Sequence, residues 1–287
     1  MSIYAFNLKY SKQLLEVYDQ REVSAILDIA FEHVTHRTKA DRIANQFNSF
    51  KPEENTRLEE IVVELLQSRP IQYILSEAWF GGVRLYINES VLIPRPETDE
   101  LVDWIVKDSA PLIDSASPLK ILDIGTGSGC IPLALKKKLF RLELTGIDIS
   151  EKALEVAKKN SDTYRANIDF QLIDILNESK WEKMRMYDII VSNPPYVKEM
   201  EKATMHKNVL DHEPAIALFV PNNDPLLFYN KIALFATKHL EANGKVYVEI
   251  NEALGKETVA LFNAHGFKTE LRKDFQGKDR MIKAWIA

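Results

Sequence analysis

The stretch that decides the fold is Leu119-Lys120-Ile121-Leu122-Asp123-Ile124-Gly125-Thr126-Gly127-Ser128-Gly129. It begins with an apolar run of strand length, with the strand itself expected at residues 120–124, and continues at once into three glycines within five residues. A helical pattern follows at residues 131–139. A buried strand, a glycine turn and a helix in this order predict the first unit of a parallel sheet, with the turn at its carboxyl edge.

Downstream of this unit, short apolar runs alternate with helical patterns. Strands are expected at residues 144–149, 168–173, 188–192 and 245–250, and helices at 151–160, 225–240 and 256–264. Two extended runs, 269–275 and 281–286, surround Gly277 and predict a hairpin that places an antiparallel strand at the end of the sheet. We therefore expect an α/β fold, with a largely parallel sheet covered by helices on both faces.

The first 75 residues follow a helical pattern instead. Thr56 followed by Glu59 predicts a capping box at the start of one helix. Two glycines, Gly81 and Gly82, then separate two short extended runs. We expect a helical N-terminal domain at residues 1–75, a linking β-hairpin at 76–94 and the α/β domain at 95–287, with a loop between 110 and 119. Apolar residues recur at helical spacing in two stripes: Val23, Ile26, Leu27, Ala30, Phe31 and Val34, then Leu58, Ile61, Val62, Leu65 and Leu66.

The composition excludes several classes of protein. The chain has 287 residues, 46% of them hydrophobic and 28% charged, which is enough for a large core and excludes wholesale disorder. No apolar run approaches the roughly 18 residues of a membrane span, and residues 1–10 lack the pattern of a targeting segment. The only cysteine, Cys130, excludes an intramolecular disulfide and a cysteine-based zinc cluster. We expect a cytoplasmic protein with no membrane partner.

The charge balance argues against nucleic acid as a partner. There are 37 basic and 42 acidic residues, a formal net charge of -5, whereas nucleic-acid binders usually carry a basic surplus. The one basic cluster, Lys136-Lys137-Lys138 with Arg141, is typical of a solvated helix end. No stable binding to nucleic acid is expected. None of the six histidines belongs to a metal-ligand spacing, so no metal is predicted.

The glycine loop and a later acid indicate a nucleoside ligand. Glycines at this place let the backbone approach a ligand closely, and Asp148, about twenty residues on, is placed to accept hydrogen bonds from ribose hydroxyls. The spacing is G-x-G-x-G rather than the G-x-G-x-x-G of pyrophosphate binders. S-adenosylmethionine, which has adenosine but no phosphates, fits better, with Asp123 near its cationic end. A plain turn and a nicotinamide cofactor are the alternatives.

The strand at residues 188–192 runs into Asn193-Pro194-Pro195-Tyr196. Two prolines stop a strand, and this is the simplest interpretation. An amide or aryl-amine nitrogen is a poor nucleophile, and its N–H groups must be paired and oriented. The Asn193 side-chain oxygen and the Pro194 carbonyl offer two acceptors for such an NH₂ group, and Tyr196 offers a face for stacking. Beside a nucleoside site, the segment favours methyl transfer to nitrogen.

Five motifs in order carry a resemblance. They are Ile93-Pro94-Arg95-Pro96-Glu97-Thr98, Asp123 through Gly129, Asp148, Asn193 through Tyr196, and Glu213-Pro214-x-x-Ala217-Leu218. With them the whole chain resembles the PrmC/HemK family of glutamine methyltransferases. The resemblance implies methylation of the Gly-Gly-Gln glutamine of class I peptide chain release factors. It also implies a class I, Rossmann-like methyltransferase sheet of seven strands, the last one antiparallel.

The resemblance further implies roles for individual residues. The cofactor is S-adenosyl-L-methionine and the product S-adenosyl-L-homocysteine. Asn193, Pro194, Pro195 and Tyr196 are the catalytic residues and hold the substrate glutamine, while Arg95 and Glu213 border the substrate. The cofactor-binding residues are Asp123, Gly125, Thr126, Gly127, Ser128, Gly129, Asp148, Asp174, Ile175 and Asn193.

Two other functions remain open at this point. Asn-Pro-Pro-Tyr alone also occurs in amino-methyltransferases that act on adenine or cytosine in nucleic acid, which bring the same residues to a flipped base. A non-catalytic role is the third hypothesis, with the N-terminal helices as an interaction module. Those helices are expected to recognise the protein substrate or to pair two chains.

Overall fold

The computed structural model describes residues 1–109 and 117–286. The chain forms two compact units: residues 1–77 with 206–212, and residues 78–205 with 213–287. No sequence pattern predicted that the short segment 206–212 groups with the N-terminal helices. The loop expected between 110 and 119 lies mostly outside the described residues.

The first unit is helical. Its interior is a cluster of aromatic and aliphatic side chains, in which Phe31 stacks on Phe50 with ring centroids 5.4 Å apart and meets Phe6 edge-on at 5.5 Å. The two sequence stripes supply buried residues to this core. The helices are α1 (Ile3–Leu14), α2 (Gln20–Thr35), α3 (Lys39–Ala44), α4 (Pro52–Leu66), α5 (Ile71–Leu75) and α9 (Lys207–Leu210).

The capping box predicted at Thr56 and Glu59 is wrong. Helix α4 begins four residues earlier, with Pro52 at its first position, where a missing N–H costs nothing. The Thr56 hydroxyl donates to the Pro52 carbonyl at 3.1 Å, which is the bond that a threonine inside a helix makes to the preceding turn. Pro52 is therefore the start signal that the sequence pattern contained.

The second unit opens with the hairpin strands β1 (Glu77–Phe80) and β2 (Val83–Tyr86), joined through Gly81 and Gly82. Both glycines have positive φ, 55° and 74°, which suits a two-residue hairpin turn. Helix α6 (Pro96–Ser109) follows and starts on a proline, whose missing N–H is not needed at that position.

A seven-stranded sheet forms the centre of this unit. In spatial order its strands run β10-β11-β9-β6-β3-β4-β5, and every pair from β9 to β5 is parallel. The predicted α/β class and the seven strands are confirmed. The strands are β3 (Leu119–Ile124), β4 (Leu142–Asp148), β5 (Asp169–Leu172), β6 (Tyr187–Ser192), β9 (Leu240–Glu249), β10 (Phe267–Lys273) and β11 (Asp279–Ile286); a separate two-residue pair comprises β7 (Val197–Lys198) and β8 (Phe219–Val220).

Helices flank the sheet on both faces. Successive residues of a strand point to opposite faces, and along β9 Val246 and Val248 pack with Tyr229 and Phe235, while Tyr247 meets Trp104 of α6 edge-on at 5.7 Å. The two faces are therefore covered by different helices, as the near-continuous apolar strands predict. The remaining helices are α7 (Cys130–Lys138), α8 (Glu151–Tyr164), α10 (Leu227–His239) and α11 (Gly255–Ala264).

Strand β11 is the antiparallel strand, as expected for the last strand, but it does not lie at the edge of the sheet. It pairs with both β10 and β9, so β10 is the edge strand. After β9, the chain crosses over through helix α11, so that β10 runs parallel to β9. The turn at Gly277 (φ 82°) then reverses the chain, and β11 lies between β9 and β10. None of the described helices is long and apolar enough to cross a bilayer.

Candidate functional site

The adjacency of strands β3 and β6 creates the site. Ile124 pairs with Ser192 at the carboxyl ends of the two parallel strands, and the Ser192 hydroxyl donates to the Ile124 carbonyl at 2.7 Å. The segments that follow, the glycine loop and Asn193-Pro194-Pro195, therefore start side by side. The prediction that these two strand ends are neighbours is confirmed.

One cavity lies at this edge of the sheet. Its empty volume is about 1220 Å³, part of it open to solvent. Tyr196, Gly129, Asp123 and Glu213 are not among its lining residues. The sequence-predicted residues that do line it are Arg95, Gly125, Thr126, Gly127, Ser128, Asp148, Asp174, Ile175, Asn193, Pro194 and Pro195.

The three glycines of the loop have different roles. All have positive φ, 72° at Gly125, 53° at Gly127 and 75° at Gly129. Residues that carry a Cβ adopt this conformation only at an energetic cost. A Cβ at Gly125 or Gly127 would meet no atom within 4 Å, whereas one at Gly129 would lie 3.3 Å from the Cβ of Ala157. The first two glycines thus keep the cavity open, and the third allows close packing against helix α8.

Asp148 holds the loop from the neighbouring strand. It is the last residue of β4, and its two carboxylate oxygens accept hydrogen bonds from the Gly127 and Ser150 backbone N–H groups, both at 2.9 Å. A carboxylate has about four acceptor positions, so Asp148 retains capacity for hydroxyl donors in the cavity. Burial raises its pKa, although the backbone N–H donors oppose that effect.

Several polar groups around the loop lack a partner. Among the described residues, neither oxygen of Asp123 and neither hydroxyl of Thr126 and Ser128 has a hydrogen-bond partner, although all three residues are no more than 2% exposed. Buried groups of this kind are costly unless a ligand or water satisfies them. Together with the open space above Gly125 and Gly127, they fit a polar ligand with a cationic end.

The carboxyl of Asp123 is unusually basic. Burial is the main cause that raises its pKa to about 7, and the nearby charge of Asp148 acts in the same direction. Asp123 lies behind the loop and not on the cavity wall, so it would influence a bound cation through its charge.

Another part of the cavity lining is largely apolar. Ile173, Ile175, Leu176 and Phe228 contribute side chains, and Asp174 adds a carboxylate whose Oδ1 accepts from the Leu176 N–H at 2.8 Å. This surface suits a flat, weakly polar ring. Asp174 and Ile175 were predicted as cofactor-binding residues, and both line the cavity. Phe228, which comes from helix α10, was not predicted, because its sequence neighbourhood indicates only an apolar helix residue.

Asn193 is held by a chain of hydrogen bonds. Its Nδ2 donates to Thr98 Oγ1 at 3.0 Å, and the Thr98 hydroxyl donates to Glu249 Oε2 at 2.6 Å. With the amide nitrogen engaged in this way, the side-chain oxygen stays available as an acceptor. In the sequence, Thr98 is visible only as part of a motif, and Glu249 only as one residue of the strand expected at 245–250.

Tyr196 differs from its expected role as a stacking face. Its hydroxyl donates to the other Glu249 oxygen, Oε1, at 3.0 Å, and its backbone carbonyl accepts from Asn251 Nδ2 at 3.1 Å. Burial, followed by the charge of Glu249, raises the Tyr196 pKa far above its usual range. The tyrosine therefore anchors the Asn193-Pro194-Pro195 segment from behind the cavity.

Glu213 likewise acts behind the wall. Its side chain is 1% exposed, and it accepts from Arg95 Nη2 at 2.6 Å and from the Ile93 backbone N–H at 3.2 Å. Arg95 itself lines the cavity. The Pro-Arg-Pro segment and the Glu-Pro segment, which the sequence showed only as separate motifs, form one anchored wall.

Asn160 of helix α8 was also missed. This residue is 2% exposed, and its Nδ2 donates to the carbonyls of Ser128 and Tyr86, both at 2.9 Å, while its Oδ1 accepts from the Tyr86 N–H at 2.7 Å. One side chain thus holds the glycine loop and strand β2. Over the part of the chain that the structure describes, no three His, Cys, Asp or Glu side chains are grouped to hold a metal ion.

Comparisons with known proteins show which proteins this chain is similar to. Residues 110–215 match the Methyltransferase small domain. The chain is 44% identical to a release factor glutamine methyltransferase of Flavobacterium psychrophilum over 99% of both chains, and 44% identical to one of Bacteroides thetaiotaomicron over 79% of this chain and 80% of that protein. Its fold is similar to that of a Pyrococcus furiosus methyltransferase (TM-score 0.50, 18% identity, 72% and 90% of the two chains).

The open space at Gly127 yields a direct test. Gly127→Ala places a methyl group where the ligand is expected, and overpacking of about 1–3 kcal/mol lowers the affinity for S-adenosylmethionine about 10- to 100-fold. Gly277→Ala is the matched control, because Gly277 also has positive φ and open space but lies in the β10–β11 turn. Calorimetric titration and thermal unfolding measure the two effects. Both variants should lose similar stability, and equal cofactor affinity in both would contradict the placement.

Proposed function

We propose, because the chain belongs to the family of release factor glutamine methyltransferases, that it methylates the side-chain nitrogen of the Gly-Gly-Gln glutamine in class I peptide chain release factors. The family predicted from the sequence motifs is confirmed. The observation that carries the proposal is that the glycine loop and the Asn193 amide line the same cavity.

The cofactor end of the cavity is the glycine-loop side. S-adenosylmethionine, when bound there, supplies an electrophilic methyl group on a sulfonium. The residues proposed to hold it are Gly125 and Gly127, which leave room for it, and Asp148, which retains acceptor capacity for ribose hydroxyls. The unpaired Thr126 and Ser128 hydroxyls and the Asp123 carboxylate supply hydrogen bonds and a negative charge at the same end.

The substrate end is the Asn193-Pro194 side. The Asn193 side-chain oxygen and the Pro194 carbonyl accept the two N–H groups of the glutamine amide. Holding both hydrogens orients the nitrogen before methyl transfer, so no strong base is needed first. One of these two hydrogens then has to leave as a proton, since the nitrogen is positively charged once it carries the methyl group. Such alignment lowers a barrier by about 7–11 kcal/mol in well-oriented systems. Pro195 stiffens the segment, and Tyr196 fixes it through Glu249.

Several features support a protein substrate over a nucleic acid. The net charge is -5, whereas nucleic-acid affinity depends on basic groups. The Tyr196 ring, the expected stacking face for a base, does not line the cavity. We therefore propose release factors as the partner, with no stable nucleic-acid binding, no metal and no membrane partner, and the cytoplasm as the location.

The N-terminal helices are proposed to recognise the release factor. Three large apolar side chains form an exposed patch: Tyr4 is 50%, Leu8 67% and Phe47 75% exposed. Tyr4 and Leu8 are one turn apart on α1, and the Tyr4 and Phe47 rings are 5.8 Å apart. Exposed apolar groups in contact with one another are a common feature of protein interaction surfaces.

Asn193→Ala tests the catalytic assignment. Removing the acceptor oxygen should lower kcat at least about 10²- to 10³-fold, the loss seen when a hydrogen-bonding group at a reacting centre is removed. S-adenosylmethionine affinity should stay largely intact. Mass spectrometry of release-factor peptides after incubation with labelled cofactor measures turnover. Asn243→Ala, at an exposed position of β9, is the control, and wild-type turnover in Asn193→Ala would refute the assignment.

The pKa of Asp123 predicts a pH dependence of cofactor binding. Since the free carboxyl has a pKa of about 7, it is mostly protonated at pH 6 and ionised at pH 8, and only the ionised form attracts a cation. Affinity for S-adenosylmethionine should rise about tenfold across this range. Titration calorimetry of wild type and Asp123→Asn separates this effect from ionisation of the ligand. The same pH dependence in both proteins would exclude Asp123 as its source.

The exposed patch predicts a selective effect on substrate binding. Leu8→Ser and Phe47→Ser together should raise the release-factor KM about tenfold or more through loss of buried apolar contacts, with kcat and cofactor affinity unchanged. Val63→Ser on α4, also exposed (56%), serves as the control outside the patch. If KM for the release factor is unchanged, the patch has no role in recognition.

A further inference from the structure

The direction of the Asn193 amide matters for the proposed function. An asparagine side chain has an oxygen that accepts and an NH₂ group that donates, in nearly the same shape, so its orientation is set by its partners. Substrate glutamine presents N–H donors. If the Asn193 amide turned over, two NH₂ groups would face each other and the substrate would not be held.

Thr98 alone does not determine this direction. Its Oγ1 lies 3.0 Å from Asn193 Nδ2, and Thr98 is only 2% exposed, so water does not compete freely for the hydroxyl. A hydroxyl, however, both accepts and donates. It would serve either orientation of the Asn193 amide if its own proton were free to turn.

Glu249 removes that freedom. The residue is 1% exposed, and its carboxylate accepts from the hydroxyls of Thr98, at 2.6 Å, and Tyr196, at 3.0 Å. An ionised carboxylate only accepts hydrogen bonds. The single Thr98 proton is therefore committed to Glu249, and only lone pairs remain for Asn193.

Burial raises the pKa of Glu249 above its usual range and outweighs the lowering effects of the hydrogen bonds from Thr98 and Tyr196 and of the positive charge of Arg280; Glu97 adds a smaller raising effect. Both of its oxygens nonetheless accept a hydroxyl proton, which is the arrangement that an ionised carboxylate requires. A charge-assisted O–H···O⁻ contact as short as 2.6 Å is of the strong kind. The carboxylate and its two hydroxyl donors form a fixed set.

We propose that Thr98 and Glu249 are positioning residues that set the polarity of the Asn193 amide, and so orient its oxygen towards the substrate nitrogen. The inference rests on the proposed function of Asn193. Neither residue is proposed to exchange a proton with the substrate. The buried carboxylate of Glu249 accepts the Thr98 hydroxyl proton, and the Thr98 oxygen in turn accepts a hydrogen bond from the NH₂ group of Asn193.

Thr98→Val tests the proposal, since it keeps the shape and removes the hydroxyl. We expect kcat to fall about 10- to 100-fold, the effect of a misplaced reacting group, while KM and cofactor affinity stay within about twofold. Thr98→Ser, which restores the hydroxyl, should recover most of kcat. The matched control is Thr258→Val: Thr258 in helix α11 is also buried, but its hydroxyl donates to the carbonyl of Leu254, the residue before that helix.

Glu249→Gln tests the second member of the chain, because the amide keeps the side-chain shape and its oxygen can still accept from the Tyr196 hydroxyl. Alone it should also lower kcat, and in the Thr98→Val background it should add little, because both substitutions break the same link to Asn193. If the two losses multiply, or if Thr98→Val keeps wild-type kcat while Asn193→Ala is inactive, the positioning role is wrong even though the proposed function stands.

A measurement without release factor separates the two proposals. In NMR spectra the Asn193 side-chain NH₂ pair, assigned from its loss in Asn193→Ala, should be shifted and slow to exchange in wild type and Thr98→Ser but not in Thr98→Val. This result supports the positioning role even if wild type fails to methylate release factors, which would refute only the proposed function. An unchanged NH₂ pair in Thr98→Val would overturn the inference.

Discussion

The pairing of strands β3 and β6 is the constraint on which the site depends. Their ends are held in register by the sheet and by the hydrogen bond from Ser192 to the Ile124 carbonyl. A parallel sheet brings the carboxyl ends of neighbouring strands to one edge. Two segments separated by more than sixty residues in sequence therefore start from adjacent points, one suited to a nucleoside and the other to an amide.

Buried or partly buried carboxylates anchor the segments around the cavity in a repeated way. Asp148 accepts from two backbone N–H groups, Glu213 from Arg95 and a backbone N–H, and Glu249 from two hydroxyls. A carboxylate removed from water is costly unless donors replace its hydration. Each therefore holds its donors firmly, and the flexible segments at the sheet edge acquire fixed positions without covalent links.

Local sequence patterns were sufficient for most of the fold. Apolar runs and glycine turns predicted the strands, their alternation with helices and the two strand ends that form the site. They were less informative where pairing is non-local. The position of β11 inside the sheet depends on its pairing with both β9 and β10, and a pattern of alternating residues does not specify those two partners. Thr56 was misread because its residue type suits both a helix start and a helix interior.

The site was predictable where a motif is continuous and not where partners are distant. Asn193 follows directly from its segment, but Glu249 is an ordinary strand residue until the fold places it beside Thr98 and Tyr196. Phe228 reaches the cavity from a helix whose pattern indicates only a buried face. In the same way, the sequence motifs predicted substrate contact for Glu213 and Tyr196, whereas neither residue lines the cavity and their contacts place both behind its wall.

Asn160 has a consequence for how this protein tolerates change. Because one amide holds both the Ser128 carbonyl and the β2 backbone, the hairpin and the nucleoside loop are not independent modules. A change in the hairpin that moves the Tyr86 backbone would move the Asn160 side chain, and with it the hydrogen bond to Ser128 in the loop. Grafting the α/β core into another protein without residues 77–86 would leave the Asn160 amide without its two Tyr86 partners. The side chain that supports the loop would then be less firmly held, so the smallest transferable catalytic unit includes the hairpin.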